Sequence, residues 1–447
     1  MISKDIRTFF SSLKLSNIVG WFNVEYIFVN YFWFYTIFSI LFLIIRNESL
    51  YNIGFPVVLA LLVLKNIKRI NINIIDFLWI CELIWISMTW ILNDYPHKFY
   101  LMLIGLTREL TFMLAYWIAR CSSKDYLKTI IRNARRPLLI GCVFGIYCFL
   151  FPPEWYVKRV EDTLLFFNNG DASASLILEQ LRLRSFYRSS YAVSYMCSLA
   201  IIFESFCFVN HYYNKGSKQK YIYGYVLILI ISSLLCMMRA PIFCWLIGLL
   251  VVLMYRQRFS TNRKGLFLKL ALCVLLLVFI GYNYSQIDSN SFEFFLKKFD
   301  IEDKDTFIKG RFLLQSQSFT MFGEGFAKYN MMTFYKFGLP SIPDGEYVKI
   351  IAEQGFLGLV ILLSMFFFGF IKAALNFKCL FFELFVIFML LVCMIGADPL
   401  SIPDKHCFIY WLALGQVSRY KSPRLNILSQ YLTVCAFNRL KIKMLHW

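Results

Sequence analysis

The chain has 447 residues, of which 59% are hydrophobic, 19% aromatic and only 16% charged. That composition excludes an ordinary soluble domain and indicates an integral membrane protein. The formal net charge of +19 would suggest nucleic acid for a soluble protein, but on a chain of many membrane spans a basic excess reports loop orientation, so no nucleic-acid partner is expected.

Crossing a bilayer core takes about 20 apolar residues. Runs near that length fall at 26–45, 50–64, 74–92, 99–119, 137–151 and 191–209, and again at 221–238, 241–255, 266–282, 347–371, 380–395 and 406–417. The expected fold is all-α, a polytopic transmembrane helix bundle of about twelve spans. A basic segment precedes the first run and no small-residue cleavage site follows it, so that run reads as a retained span. Alternate loops, at 65–69, 120–136, 214–220 and 256–264, and the tail after 417 are basic and nearly free of acids, which makes them cytoplasmic. Both termini then lie inside. The two longest remaining loops, 152–189 and 282–346, lie outside, the second between spans nine and ten.

Residues 1–417 read as one membrane domain, and 418–447 as a basic tail that lies on anionic membrane lipid. The thirteen cysteines sit mostly inside apolar runs and none falls in the two long outer loops, so no disulfide framework is implied. His97, His211, His406 and His446 are scattered, and neither a metal nor a cofactor is expected.

Outward-facing arginines run against the positive-inside tendency and need a reason. LRLRSFYRSSYAVSYM places Arg182, Arg184 and Arg188 before the sixth span, with Arg184 and Arg188 spaced to share a helix face. MMRAPIFCW places Arg239 in a tight outer turn, and Arg311 opens GRFLLQSQSFTMFGEGF in the large loop. Planar guanidinium groups suit bidentate binding of phosphate or pyrophosphate, so arginines converging from separate segments would make an anion site at the membrane face. The competing account is an interfacial arginine that reaches to lipid head groups, and for Arg182 it is the preferred one. Arg108 and Glu109, inside the fourth span, mark either an ion path or a local structural pair.

The large loop closes with PDGEYVKIIAEQGFLGL, where Asp344, Glu346 and Glu353 are candidate bases and Tyr347 accompanies them at the start of a span. A base against a substrate hydroxyl is what glycosyl or acyl transfer needs. Lys349 and Glu353, four residues apart, also fit a helix-surface ion pair, and the Pro-Asp-Gly around Asp344 also fits a turn.

Taken together these pieces resemble the polysaccharide polymerase and O-antigen ligase superfamily of bacterial envelope biosynthesis. The resemblance is carried by RSFYRSSYAVSYM, MMRAPIF, GRFLLQ, the Gly-Glu-Gly of the large loop and PDGEYVKIIAEQGFLGL, in that order. It implies a GT-C-like fold and glycosyl transfer from an undecaprenyl-diphosphate-linked oligosaccharide, without metal or nucleotide sugar, at the outer face of the cytoplasmic membrane. It implies that Arg184, Arg188, Arg239 and Arg311 hold the diphosphate, that Asp344 serves the acceptor hydroxyl, and that Glu346, Tyr347 and Glu353 bind substrate nearby. A flippase and a chain-length regulator are the implied protein partners. Ligases of this family place a histidine where this chain has Asp344, which favours a polymerase over a ligase. A lipid-linked oligosaccharide flippase is the alternative of another class, and ionisable residues near the bilayer midplane would favour it.

Overall fold

The computed structural model describes residues 23–45, 49–66, 71–158, 182–187, 189–209, 217–257, 320–329, 337, 345–395, 399–400 and 406–420. Among them there is no strand. A backbone in hydrocarbon has to satisfy its own polar groups, and a helix does so within one segment. In chain order the helices are α1 (Val24–Val29), α2 (Tyr31–Ile45), α3 (Ser49–Asn66), α4 (Ile74–Leu92), α5 (Lys98–Gly105), α6 (Thr111–Cys121), α7 (Tyr126–Asn133) and α8 (Arg135–Leu150). They continue as α9 (Ser190–Val209), α10 (Ser217–Leu235), α11 (Arg239–Gln257), α12 (Glu346–Leu375), α13 (Phe377–Cys393) and α14 (Phe408–Arg419).

Ile74–Leu92, Ser190–Cys207 and Glu346–Leu375 are long and apolar enough to cross a membrane, and shorter apolar helical stretches cover Tyr31–Leu41, Gly54–Asn66, Tyr221–Leu235 and Ala240–Val252. The expected span at 266–282 and nearly all of the tail lie outside the described residues. Within the first run, Asn30 separates α1 from α2. The fourth is continuous, α5 passing into α6 through a π-helical turn, Leu106–Leu110.

Local chemistry fixes the helix starts. Asn73 caps α4 by accepting from the Ile75 and Asp76 N–H groups at 2.9 and 3.0 Å, and Asp76 returns the bond to the Asn73 N–H at 2.9 Å. Small residues set the closest packing: a Cβ on Gly415 of α14 would stand 2.3 Å from the Tyr116 carbonyl of α6, so only glycine lets those two backbones meet. Apolar side chains such as Phe77, Ile84, Met88 and Ile91 on α4, with Val360, Phe367 and Phe368 on α12, remain exposed. Such faces suit lipid rather than water.

One end of the bundle is tied by charge. Asp76, fully buried, accepts from Arg120 through Nε and Nη2 at 2.9 Å each and from the Tyr116 hydroxyl. Lys128 sits 2.9 Å from Asp125 and 3.1 Å from Glu383, Arg135 Nη2 donates to Glu204 at 3.0 Å, and Gln416 donates to Asp125 at 2.9 Å. These residues adjoin the basic segments that the sequence expects on one side of the membrane.

Candidate functional site

Away from that charged end, residues 320–329 lie across a break in α12. The break is at Gly355 (φ 75°, ψ 178°), and the loop carries its own positive-φ glycines, Gly323 (φ 75°) and Gly325 (φ 120°). A Cβ on Gly323 would stand 2.4 Å from the Glu353 carbonyl oxygen, and one on Gly355 would stand 2.3 Å from that of Met321. Backbone therefore rests on backbone, and the contact satisfies groups that the break leaves open. Glu324 N–H donates to the Ala352 carbonyl (2.8 Å) and Gly325 N–H to that of Glu353 (3.0 Å), while beyond the break Phe356 and Leu357 donate to Thr320 (3.3 Å) and Met321 (3.4 Å). The Gly-Glu-Gly of the loop and the Glu-Gln-Gly of α12 are the two halves of one joint.

Side chains complete it. Glu353, 1% exposed, accepts the Tyr329 N–H at 2.9 Å, and Trp85 Nε1 donates to the Gln354 carbonyl at 2.8 Å. Tyr95 donates its hydroxyl to the Phe326 carbonyl at 2.5 Å. Burial, and after it the Glu353 charge, push that phenol above its ordinary range, so it stays a donor. The Phe326 ring lies over Gly105, where a Cβ would be 2.6 Å away.

The loop also has an internal pair, with Glu324 2.5 Å from both Lys328 Nζ and the Tyr329 hydroxyl. Burial alone would raise the Glu324 carboxyl, but the Lys328 and Tyr329 hydrogen bonds outweigh it and hold the group below the ordinary carboxylate range. A depressed carboxylate stabilises the fold above its unfolded value, about 4.3 for Glu, and that stabilisation is lost as pH falls through the lower folded value. Proteolytic cutting within 320–329 should therefore accelerate as the medium is acidified below about pH 4, and Glu324→Gln should be cut at the faster rate already at neutral pH. Equal cutting of wild type and variant at neutral pH would mean that the pair does not hold the loop.

Next to Gly105, the π turn inserts an extra residue into the helix, a rare geometry that recurs at functional sites. Glu109 lies on it, and its Oε1 is 2.7 Å from Lys349 Nζ of α12, with side-chain exposures of 13% and 3%. The alternative reading of Lys349 and Glu353 as a helix-surface pair changes in one respect: both are buried, and Lys349 also reaches across to Glu109 of another helix. Glu346 accepts the Leu400 N–H at 3.1 Å, and Tyr347 donates to the Leu391 carbonyl at 2.7 Å.

Two of the arginine segments meet. Leu183 N–H donates to the Leu235 carbonyl at 3.0 Å and the Cys236 thiol to that of Leu183 at 3.3 Å, which lays the Arg182 to Arg184 stretch against the turn that leads into Arg239. Arg184 is 7% exposed. Residues 182–187, with Arg184 among them, are not helical, and α9 begins at Ser190. Ser185 (φ 60°) instead turns the chain and donates to the Gly141 carbonyl at 2.6 Å, Tyr187 donates to that of Pro137 at 3.2 Å, and both bonds draw the segment onto α8. Irregular backbone is tolerated between membrane helices only where protein or a water-filled cavity surrounds it.

Arg188, Arg311 and Asp344 lie outside the described residues, and for Arg239 the backbone but not the side chain is described. The non-glycine residues with left-handed backbone among the described ones are His97, Ser185, Met237 and Ala327. His97, Ser185 and Ala327 fall in segments that the sequence assigns to one side of the membrane and Met237 at the end of the run that leads there, and strain of this kind concentrates at functional sites. The pairing of Glu109 with Lys349 and the break at Gly355 were not anticipated. The glycine following Glu-Gln within an apolar run was the signal available for the second.

Compared with known proteins, the chain matches no family model and no curated protein. The fold and site define a class: a helical, membrane-associated protein in which a glycine-built loop closes a broken helix.

Proposed function

We propose that the chain is a polysaccharide polymerase that joins undecaprenyl-diphosphate-linked oligosaccharide repeat units at the outer face of the bacterial cytoplasmic membrane. The observation that carries this is the contact of Leu183 with Leu235 and Cys236, which sets Arg182 and Arg184 beside the turn before Arg239. A transferase with a lipid-diphosphate donor has to stabilise the charge that develops as the diphosphate leaves with its bonding pair. Arg184, Arg188, Arg239 and Arg311 take that role. The acceptor oxygen forms the new bond to the sugar while Asp344 takes its proton, and Glu346, Tyr347 and Glu353 frame the acceptor side. The surrounding scaffold in this account is a bundle of about twelve spans with both termini cytoplasmic.

The test is deletion of the gene followed by separation of the surface glycans by size. A polymerase leaves a single-repeat product, a ligase leaves no glycan on lipid A, and a flippase leaves precursor trapped on the inner side. Asp344→Asn should lower polymer synthesis by a factor of about 10² to 10⁴ at unchanged protein level. Arg239→Lys and Arg311→Lys should each restore function only in part, because lysine keeps the charge but loses the planar fork. A fusion at Lys328 that is active only with a cytoplasmic reporter would overturn the orientation, and the site with it.

The flippase is the second reading. The Glu109 and Lys349 pair within the bundle favours it, since transporters keep ionisable groups inside the membrane.

A further inference from the structure

α4 carries a carboxyl group in the middle of its membrane-length run. Glu82 is 1% exposed, and its Oε2 has no hydrogen-bond partner among the described residues. It shares the buried face of Trp79, Ile86 and Thr89. Trp79, nearly one turn earlier, stacks on Tyr116 but has no partner for its indole N–H. Trp85, nearly one turn later, binds the Gln354 carbonyl of α12, yet the side-chain Oε1 of Gln354 is also without a partner. The buried face of α4 thus holds a donor and an acceptor, and Gln354 at the contact of α4 with α12 a second acceptor, for which the described residues supply no partner.

The charged groups of the surrounding elements are committed elsewhere. Asp76 of α4 is bound by Arg120 of α6, whose Tyr116 also donates to Asp76. On α12, Lys349 pairs with Glu109, Glu353 accepts the Tyr329 N–H, and Lys372 donates to the Ser418 carbonyl at 2.8 Å. Arg419 of α14 donates to the Ser122 and Lys124 carbonyls, and Glu324 and Lys328 of the loop pair with each other. A carboxylate buried with no cation beside it is far costlier than the corresponding acid, and an ionisable group facing the inside of a membrane bundle is how proton relays are built.

We propose that Glu82 is a proton-binding site, held as the carboxylic acid on the buried face of α4 and releasing its proton to water when the packing over that face opens. α12 packs against α4 through Trp85 and Gln354, and the joint at Gly355 follows directly on Gln354, so displacement of the part of α12 before the joint is a movement that would loosen the packing around α4. The site stands whether the protein is a polymerase or a flippase.

Dicyclohexylcarbodiimide, an apolar reagent that attacks protonated carboxyl groups, tests this on the purified full-length chain at neutral pH. Peptide mass spectrometry should find a stable adduct on Glu82, and Glu82→Gln should lose it. The variant should keep the wild-type elution volume and thermal midpoint, because the amide imitates the neutral acid. Absence of the Glu82 adduct would overturn the proposal, as would modification of Glu82 by a water-soluble carbodiimide alone. Suppression of the adduct by sodium at constant pH would overturn it in favour of a metal cation. Failure of Glu82→Gln to fold would show that the charged form is required, and would also overturn it.

Discussion

Gly355→Ala is expected to destabilise the protein by at least about 3 kcal/mol, which is large against a total stability of about 5 to 15 kcal/mol. The backbone at Gly355, with φ 75° and ψ 178°, is essentially closed to side chains and alone costs about 1–3 kcal/mol. The new methyl would in addition lie 2.3 Å from the Met321 carbonyl oxygen and 2.5 Å from the Gly323 nitrogen. Those are backbone atoms, so relief requires the loop to lift. Lifting breaks the bonds from Glu324, Gly325, Phe356 and Leu357, each contributing about 0.5–1.5 kcal/mol. The measurement is the thermal midpoint of the purified protein, with the monodisperse fraction on size exclusion as a second reading. Gly224→Ala is the control: nothing lies within 4 Å of its Cβ position in α10, and alanine there should gain up to about 1 kcal/mol. A Gly355→Ala protein as stable as wild type would mean that the loop does not rest on the break.

Helix positions were legible because the length requirement of a bilayer acts on each segment alone; the run at 74–92 coincides with α4. What the spacing of residues could not show is what depends on a second segment. Arg184 sits in a stretch that the sequence spaces like a helix, yet Ser185 and Tyr187 find carbonyl partners on α8 and the chain turns there instead. The π turn at Leu106–Leu110 lies in a run whose apolar pattern reads as ordinary helix. The Gly-Glu-Gly and Glu-Gln-Gly motifs were each visible, but their meeting is a property of the folded chain. Buried charge likewise depends on a second segment: Glu82 and Glu353 are buried within helices, and Lys349 pairs with Glu109 across the bundle.

Lys349→Met should cost about 3–5 kcal/mol, because it removes one partner of an ion pair that the bundle has already desolvated. Methionine keeps most of the length and apolar volume of the lysine stem, so lost packing contributes little. The charge of Glu109, 2.7 Å from Lys349 Nζ and 13% exposed, then loses the cation set against it. Glu109→Gln in the Lys349→Met background should recover much of the loss, since the neutral amide has no charge to leave buried. The double-mutant cycle should give a coupling of about 0.5–3 kcal/mol, measured from thermal midpoints in one detergent. Activity should separate structure from chemistry. Lys349 lies in the same N-terminal stretch of α12 as Glu346 and the Gly355 joint, so under the proposed polymerase function a purely structural pair predicts that the double variant regains synthesis as it regains stability. Recovery of stability without recovery of synthesis would place the Glu109 and Lys349 charges in the reaction itself, and an unchanged midpoint for Lys349→Met alone would show that the pair is not ionised in the folded protein.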